Sequence, residues 1–107
     1  MILFEKSVKF GLAASIEYSQ KGIISRQIVR NNAGNVILFS FDEGQLLSEH
    51  TAQFDEIIQV LEGEANVIID GKENILTAGE AVIMPANTPH ALKAVKKFKM
   101  ILITIKG

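Results

Sequence analysis

Residues 79–90 read GEAVIMPANTPH and contain both prolines of the chain and one of its two histidines. The apolar run 81–84 is typical of a short strand, and Pro85 ends it because proline cannot donate a ladder hydrogen bond. Polar turn residues follow, and the sequence becomes apolar again just after His90. The pattern predicts strand, turn and strand, with His90 at the start of the second strand.

The other histidine lies in a similar segment upstream, Gly44-x5-His50-x-Ala52-x3-Glu56-x6-Gly63. This segment also has the pattern of strand, turn and strand, so both imidazoles could point into one barrel. Neutral imidazole is the commonest metal ligand and the side chain most easily tuned near neutral pH. The two histidines are therefore the first candidates for a functional site.

From residue 23 onward, short apolar runs alternate with turn signals such as Asp70-Gly71, a strong hairpin dipeptide. About nine short strands at this spacing are typical of an all-β sandwich or barrel. We expect strands at 23–30, 36–42, 45–52, 56–62, 64–70, 74–76, 81–84, 90–95 and 98–105.

The first part of the chain is the least like a barrel. Leu12, Ala13 and Ile16 recur at helical spacing, which predicts one short helix near 11–18 after an extended arm. A chain of 107 residues is one domain by its length. We therefore expect one domain overall, with an arm or helix at 1–22 and a β-barrel at 23–107.

Composition narrows the function classes. The chain has no cysteine, so disulfides and thiolate ligands are excluded. Its net charge of −1 argues against a nucleic-acid partner, since such proteins usually carry a basic stripe. No apolar run is long enough to cross a bilayer, and the short run at the beginning ends in charge at Glu5, unlike a signal peptide. We expect a cytoplasmic protein with no membrane partner.

The two histidine segments together resemble the motifs of the cupin superfamily, whose members are jelly-roll β-barrels. The family's first motif has the form Gly-x5-His-x-His-x3or4-Glu-x6-Gly. This sequence matches that form at Gly44, His50, Glu56 and Gly63, and it departs at Ala52, where the second histidine is missing.

The second cupin motif has the form Gly-x5-Pro-x-Gly-x2-His-x3-Asn. This sequence matches at Gly79, Pro85 and His90, and it departs at Asn87 and at Ala94. Asn87 is a conservative departure, because asparagine tolerates the left-handed backbone that glycine adopts. The resemblance covers about residues 35–105 and implies a single small cupin barrel.

Cupins hold one divalent metal between the first-motif histidines, the glutamate and the second-motif histidine. The resemblance implies His50, Glu56 and His90 as ligands of Fe(II), Mn(II), Ni(II) or Zn(II), with Ala52 offering none. Two imidazoles and a carboxylate leave positions open for substrate, dioxygen or water. A metal-free pocket stays open as the alternative, with the histidines hydrogen-bonded to each other, to Glu56 or to water.

Four further residues are candidates for the pocket. Gln53 and Gln59 could supply amide oxygens to a hard metal, and Phe54 and Met84 could line the cavity. Strict alternation from the glutamate at 56 would instead turn Gln59 outward, and a bulge would invert that. A polar position on a strand rim is the alternative for both glutamines.

Arg26 and Arg30 share a predicted strand face with Ile24 and Ile28. An arginine in the barrel mouth would bind a carboxylate or a phosphate well. The alternative is an ordinary solvated edge.

The first function hypothesis is a metal-dependent enzyme acting on a sugar acid, keto acid or other carboxylate. The alternatives are a metal-free protein that binds or senses a small ligand, and a metal-free isomerase or epimerase with histidine as general base. A homodimer is expected, because the resemblance implies pairing through outer sheet faces or by exchange of N-terminal strands. The unbroken apolar run 100–103 also suits a strand buried on both faces, with a partner subunit as one possible cover.

Overall fold

A computed structural model of the chain describes residues 4–107, so the first three residues of the predicted arm lie outside the described part. Nearly all of the regular structure is β, which confirms the predicted fold class. The nine strands are β1 (Ile23–Asn31), β2 (Gly34–Phe41), β3 (Leu46–His50), β4 (Glu56–Glu62), β5 (Glu64–Ile69), β6 (Lys72–Thr77), β7 (Ala81–Met84), β8 (His90–Ala94) and β9 (Phe98–Ile105).

The strands form two antiparallel sheets that pack face to face as a jelly roll. One sheet has five strands in the order β1-β2-β9-β4-β7, and the other has four in the order β3-β8-β5-β6. Successive side chains along a strand point to opposite faces, so every second residue faces the space between the sheets. This alternation decides which polar residues reach the interior.

The interior is filled by one apolar cluster drawn from both sheets. The rings of Phe41 and Phe98 stack within it at a centroid distance of 4.6 Å. The buried members are Phe41, Ile58, Val60, Ala65, Val67, Leu76, Met84, Leu92, Ala94, Phe98 and Met100. The core lies toward one end of the barrel, and the polar residues described below lie toward the other.

The arm packs on the outer face of the five-stranded sheet. Ile16 is 3% exposed and forms a second apolar cluster with Leu38 and Ile101. The helix predicted near 11–18 is wrong: only Ala13–Ser15 forms a short 3-10 helix, and Ile16 is extended, with φ −143° and ψ 136°. A short isolated helix is marginal, and contact with the sheet decides the backbone here.

The same contact explains the apolar run at residues 100–103. Met100 faces the interior, whereas Ile101 and Ile103 lie on the outer face, where the arm packs against them. The cover on this face therefore comes from the chain's own arm.

Several turns use left-handed backbone, among them the turns at Gly63 and Asn87. Gly63, between β4 and β5, has φ +85°, and a Cβ there would collide with the carbonyl oxygen of Lys97. Asn87 has φ +62° in the turn before β8. Asparagine adopts this conformation more readily than most residues, in agreement with its expected replacement of glycine.

Candidate functional site

The two histidines meet across neighbouring strands. His50 is the last residue of β3 and His90 the first of β8, and the two are register partners. A bulge between Leu47 and His50 adjusts the alternation of β3. The imidazole centroids lie 4.3 Å apart with the rings inclined at 68°, an edge-to-face contact. The two imidazole rings therefore touch each other at the ends of neighbouring strands.

His90 is 2% exposed, and a backbone carbonyl sets its tautomer. Its Nδ1 donates to the carbonyl oxygen of Thr88 at 3.1 Å. A carbonyl can only accept, so the Nδ1 of the neutral ring carries the proton and Nε2 keeps a lone pair. Nε2 is buried and has no hydrogen-bond partner. A buried acceptor without a partner indicates a missing water, ion or ligand.

His50 has the same arrangement. Its Nδ1 donates to the carbonyl oxygen of Ser48, two residues earlier, at 2.8 Å. Metal-binding histidines almost always donate their second ring N–H in this way, which orients the ring and makes Nε2 the donor atom for the metal. Unlike His90, His50 is exposed.

Glu56 faces the histidines from the opposite sheet. It begins β4, and its inward direction follows from alternation with Ile58 and Val60, both fully buried. Glu56 Oε2 accepts a hydrogen bond from Thr104 Oγ1 at 2.9 Å. Its other oxygen, Oε1, lies 3.7 Å from His90 Nε2.

Two acceptors therefore face one another across the interior. A carboxylate oxygen and an unprotonated imidazole nitrogen repel each other unless a donor or a cation joins them. A cation about 2.1 Å from each of two donors holds those donors roughly 3.0–3.5 Å apart. The separation of 3.7 Å between Glu56 and His90 is slightly larger than that range.

The two loops beside the site are tied to each other. The carbonyl oxygen of Ala52 accepts a hydrogen bond from the backbone N–H of Asn87 at 2.7 Å. Asp55 Oδ1 accepts one from the backbone N–H of Ala86 at 2.8 Å. The loop before Glu56 is thereby fixed to the turn before His90, so the backbone around the site is held from both sides.

Met84 joins these residues in the interior. It is 2% exposed and is the register partner of Glu56 across β4 and β7. Its thioether carries no charge, so it supplies an apolar wall beside the carboxylate.

Gln53 and Phe54 lie elsewhere. They line a groove of about 510 Å³ on the outer side of the five-stranded sheet, where Ile57, Ile83 and Ile105 also point. Their strand neighbours Ile58 and Met84 face inward, which places this groove on the opposite face from the histidine pair. The structure therefore separates these two candidates from the interior site.

Gln59 and Arg26 are also turned away from the interior. Gln59 is exposed between the buried Ile58 and Val60, as strict alternation predicts. Arg26 is on the outer face of β1 and pairs with Glu17 of the arm at 2.6 Å. The expectation that Arg26 reaches the barrel mouth is corrected, because its strand turns that side chain toward the arm.

Two interior polar residues escaped the sequence analysis. Thr104 supports Glu56, and Asn35 is the register partner of Thr104 on β2. Each occupies an inward position near the end of an apolar strand. In both strands the inward positions are otherwise apolar, so a single polar residue among them could have been recognised from the sequence as a candidate site residue.

In the structure, the two histidines and the glutamate are not arranged as a complete set of metal ligands. Within residues 4–107, no group of three or more histidine, aspartate and glutamate side chains is arranged to hold a metal ion as it stands. His90 and Glu56 are close, whereas His50 touches His90 edge-on. No helix in the described range is long and apolar enough to cross a membrane.

A family model described as "Cupin domain" matches residues 37–106. A conserved protein of unknown function from Streptococcus pyogenes is 31% identical, with a TM-score of 0.90 over 96% of this chain and 90% of that one. A cupin superfamily protein from Desulfitobacterium hafniense is 27% identical, with a TM-score of 0.91 over 98% and 96% of the two chains.

A Cupin 2 conserved barrel domain protein from Leptotrichia buccalis is 39% identical, with a TM-score of 0.88 over 91% of this chain. This chain spans 47% of that protein, about half of its length. No curated protein shows significant similarity to the chain.

Proposed function

The chain belongs to the cupin domain family, and on that premise we propose that it binds a polar small molecule inside the barrel through one divalent metal ion held by His50, Glu56 and His90. The observation that carries the proposal is the buried, unpartnered Nε2 of His90, which faces a carboxylate oxygen of Glu56 at 3.7 Å. A shared cation satisfies both acceptors at once.

The donor set fits a metal of the Fe(II), Mn(II), Ni(II) or Zn(II) class. Two imidazole nitrogens and one carboxylate oxygen are ligands that these ions accept. His50 completes the set if its exposed ring tilts out of edge-on contact with His90 while its Nδ1 stays bonded to the carbonyl of Ser48. Ala52 offers no donor, so the remaining coordination positions stay open to a ligand.

The ion would supply Lewis-acid polarisation of a carbonyl or hydroxyl oxygen of the bound molecule. The chain's own groups have separate tasks. The carbonyls of Ser48 and Thr88 hold the two rings in the tautomer that leaves Nε2 free. Thr104 holds one oxygen of Glu56 and leaves the other aimed at His90. The substrate class we propose is a sugar acid, keto acid or other small carboxylate.

A second candidate function is metal-free binding of the same class of molecule, with an isomerase or epimerase as its catalytic form. The missing donor at Ala52 and the edge-on position of His50 favour it. In that case a ligand hydroxyl would donate to His90 Nε2, and His90 would act as general base.

Metal content decides between the two functions. Protein purified without a histidine tag is incubated with Fe(II), Mn(II), Ni(II) or Zn(II), desalted and assayed by elemental analysis. The metal-dependent function predicts about one ion per chain, with the ion lost in Glu56→Gln and retained in the matched control Glu73→Gln, which alters an exposed carboxylate on β6. Negligible metal in the unmodified protein would leave the metal-free function.

We also propose that the chain forms a homodimer through the outer face of β4 and β7. Ile83 is 60% exposed and Ile105 is 59% exposed, and both line the groove that contains Phe54. Contiguous exposed apolar surface of this kind is typical of protein–protein contact sites.

A further inference from the structure

The inward-facing polar residues continue beyond the glutamate to the far edge of the five-stranded sheet. Thr104 is paired in register with Glu56 on one side and with Asn35 on the other. Asn35 in turn is paired with Arg30 on β1. Register partners share a face of the sheet, so these four residues form one row across β4, β9, β2 and β1.

A bulge in β1 places Arg30 in this row. The pairing shifts between Gln27 and Val29, so Val29 pairs with Val36 and Arg30 with Asn35. Before the bulge, Arg26 pairs with Leu38, which belongs to the outer cluster under the arm. Strict alternation would put both arginines on one face, but the extra residue puts them on opposite faces.

The side-chain oxygen of Asn35 lacks a hydrogen-bond partner. Its Oδ1 is fully buried and has no partner. Within residues 4–107, two more buried side-chain atoms lack a partner, Asn66 Oδ1 and His90 Nε2. Asn66 alternates with the core residues Ala65 and Val67, whereas His90 Nε2 and Asn35 Oδ1 lie at either end of the linked pair Thr104 and Glu56. Buried polar atoms in folded proteins are nearly always satisfied, so each of these two atoms is a position where a water or a ligand group binds.

Arg30 adds charge to the same edge. Its side chain is exposed, and among residues 4–107 no carboxylate lies within ion-pairing distance of it, whereas Arg26 is paired with Glu17. An unpaired guanidinium is suited to hold a carboxylate through two parallel hydrogen bonds. Neighbouring strands are about 4.8 Å apart, so three strand spacings separate the backbones of Arg30 and Glu56 by roughly 14 Å. The long side chains of both residues shorten the distance that a small sugar acid would span between them.

We infer that Asn35 and Arg30 form a recognition subsite for a hydroxylated carboxylic acid, with its carboxylate on Arg30, a hydroxyl on Asn35 and its far end at Glu56 and His90. The inference names the substrate class of the proposed site and rests on the proposed function only for what happens at His90. The subsite itself requires no metal ion.

Titration followed by ¹H–¹⁵N NMR tests this assignment, with D-gluconate as the probe. Sorbitol, which lacks the carboxylate, and hexanoate, which lacks the hydroxyls, are the matched compounds. We expect millimolar gluconate to shift the side-chain amide signals of Asn35 and the backbone signals near His90. The two matched compounds should bind about tenfold more weakly or less, because each loses one charged or polar contact.

Variants locate the contacts. Arg30→Gln should weaken gluconate binding about tenfold or more, and Arg26→Gln, on the same strand but the outer face, should leave it unchanged. Asn35→Leu should weaken binding while thermal stability is kept or raised, because an unpaired buried amide oxygen is replaced by an apolar group of similar shape. Asn66→Leu removes the other buried unpartnered amide and should leave binding unchanged.

Three results would overturn the subsite: no gluconate binding at millimolar concentration, equal losses in Arg30→Gln and Arg26→Gln, or a marked loss of stability in Asn35→Leu. Metal content is measured on the same samples. Gluconate binding without metal would reject the metal-dependent function and keep the subsite, and metal binding without gluconate binding would do the reverse.

Discussion

Thr104 donates a hydrogen bond of 2.9 Å to Glu56 from the adjacent strand, although 48 residues separate them in the chain. The bond occupies Oε2 and leaves Oε1 facing His90. Thr104→Val keeps the shape of the side chain and removes the donor. We expect metal affinity to fall roughly tenfold, since groups that orient a ligand usually have effects of this size.

Isothermal titration with Mn(II) measures that affinity. Thr77→Val is the matched control, because Thr77 also donates to a glutamate, Glu80, but on the exposed surface. Equal affinity in Thr104→Val and the unmodified protein would mean that Glu56 is aimed by the strand alone.

Restoring an imidazole at position 52 should strengthen the metal site. The carbonyl of Ala52 is bonded to the N–H of Asn87, so the backbone at this position is tied to the turn before His90. Ala52→His supplies the fourth donor, and we expect metal affinity to rise about tenfold or more. Competition with a chelator provides the measurement. An unchanged affinity would show that position 52 is not directed at the other ligands.

The single tyrosine should ionise at unusually high pH. Tyr18 is partly buried, and its hydroxyl donates to Glu62 Oε2 at 2.7 Å. Burial first, and then the bond to Glu62, raise the pKa of Tyr18 well above its ordinary value. Because it is the only tyrosine, ultraviolet absorbance of tyrosinate reports on it alone. The titration should be displaced to higher pH in the native protein, and Glu62→Gln should reduce the displacement.

The raised pKa of Tyr18 makes the stability of the fold fall at alkaline pH. The raised pKa means that the folded chain holds the phenol proton more tightly than the unfolded chain. The stabilisation is complete below the ordinary tyrosine pKa of about 10 and is lost as pH rises through and above it. A Tyr18→Phe variant should lose less stability over that alkaline range. An identical alkaline decline in both proteins would contradict the linkage.

Stability should also decline in acid because two carboxylates, Asp42 and Glu80, accept hydrogen bonds in the folded chain. Backbone hydrogen bonds from Lys21 and Glu43 lower the pKa of Asp42. The N–H and hydroxyl of Thr77 lower that of Glu80. A lowered pKa stabilises the fold above the ordinary carboxylate pKa of about 4, and this contribution is lost as pH falls through the folded value.

Denaturant unfolding across this acidic range measures the loss. Asp42→Asn should flatten the dependence of the unfolding free energy on pH, and Glu43→Gln should not, since only the backbone N–H of Glu43 takes part. A steep decline that persists in Asp42→Asn would locate the responsible group elsewhere.

A charge in the outer groove should prevent dimer formation. Ile83→Glu places a carboxylate among the apolar side chains of the groove, where burial against a partner would be costly. Light scattering after size exclusion should show a monomer. Ile75→Glu changes an isoleucine that is 50% exposed on the other sheet and should leave the dimer intact. A monomeric unmodified protein would reject the proposed interface.

Much of the strand pattern follows from local sequence. Turn dipeptides and apolar alternation placed all nine strands close to their observed bounds, and motif spacing brought His50 and His90 together. Turn dipeptides and apolar alternation depend only on neighbouring residues, and motif spacing is read directly from the residue numbers. They say which residues are in a strand and how far apart the motifs lie.

The faces of the edge strand and the form of the arm depend on distant contacts instead. The bulge that turns Arg26 and Arg30 to opposite faces of β1 depends on pairing with β2, and no single residue of β1 predicts it. The extended backbone at Ile16 depends on the apolar surface of Leu38 and Ile101. Helical spacing within the arm could not reveal that surface, because it forms only when the sheet does.

The position of β9 between β2 and β4 has a consequence for biosynthesis. The central strand of the five-stranded sheet is residues 98–105, so β1-β2 and β4-β7 are two separate strand pairs until these residues have been synthesised. Translation must reach this last strand before either half can close. Premature termination upstream of residue 98 would therefore leave a fragment with unpaired edges on β2 and β4, which favours aggregation.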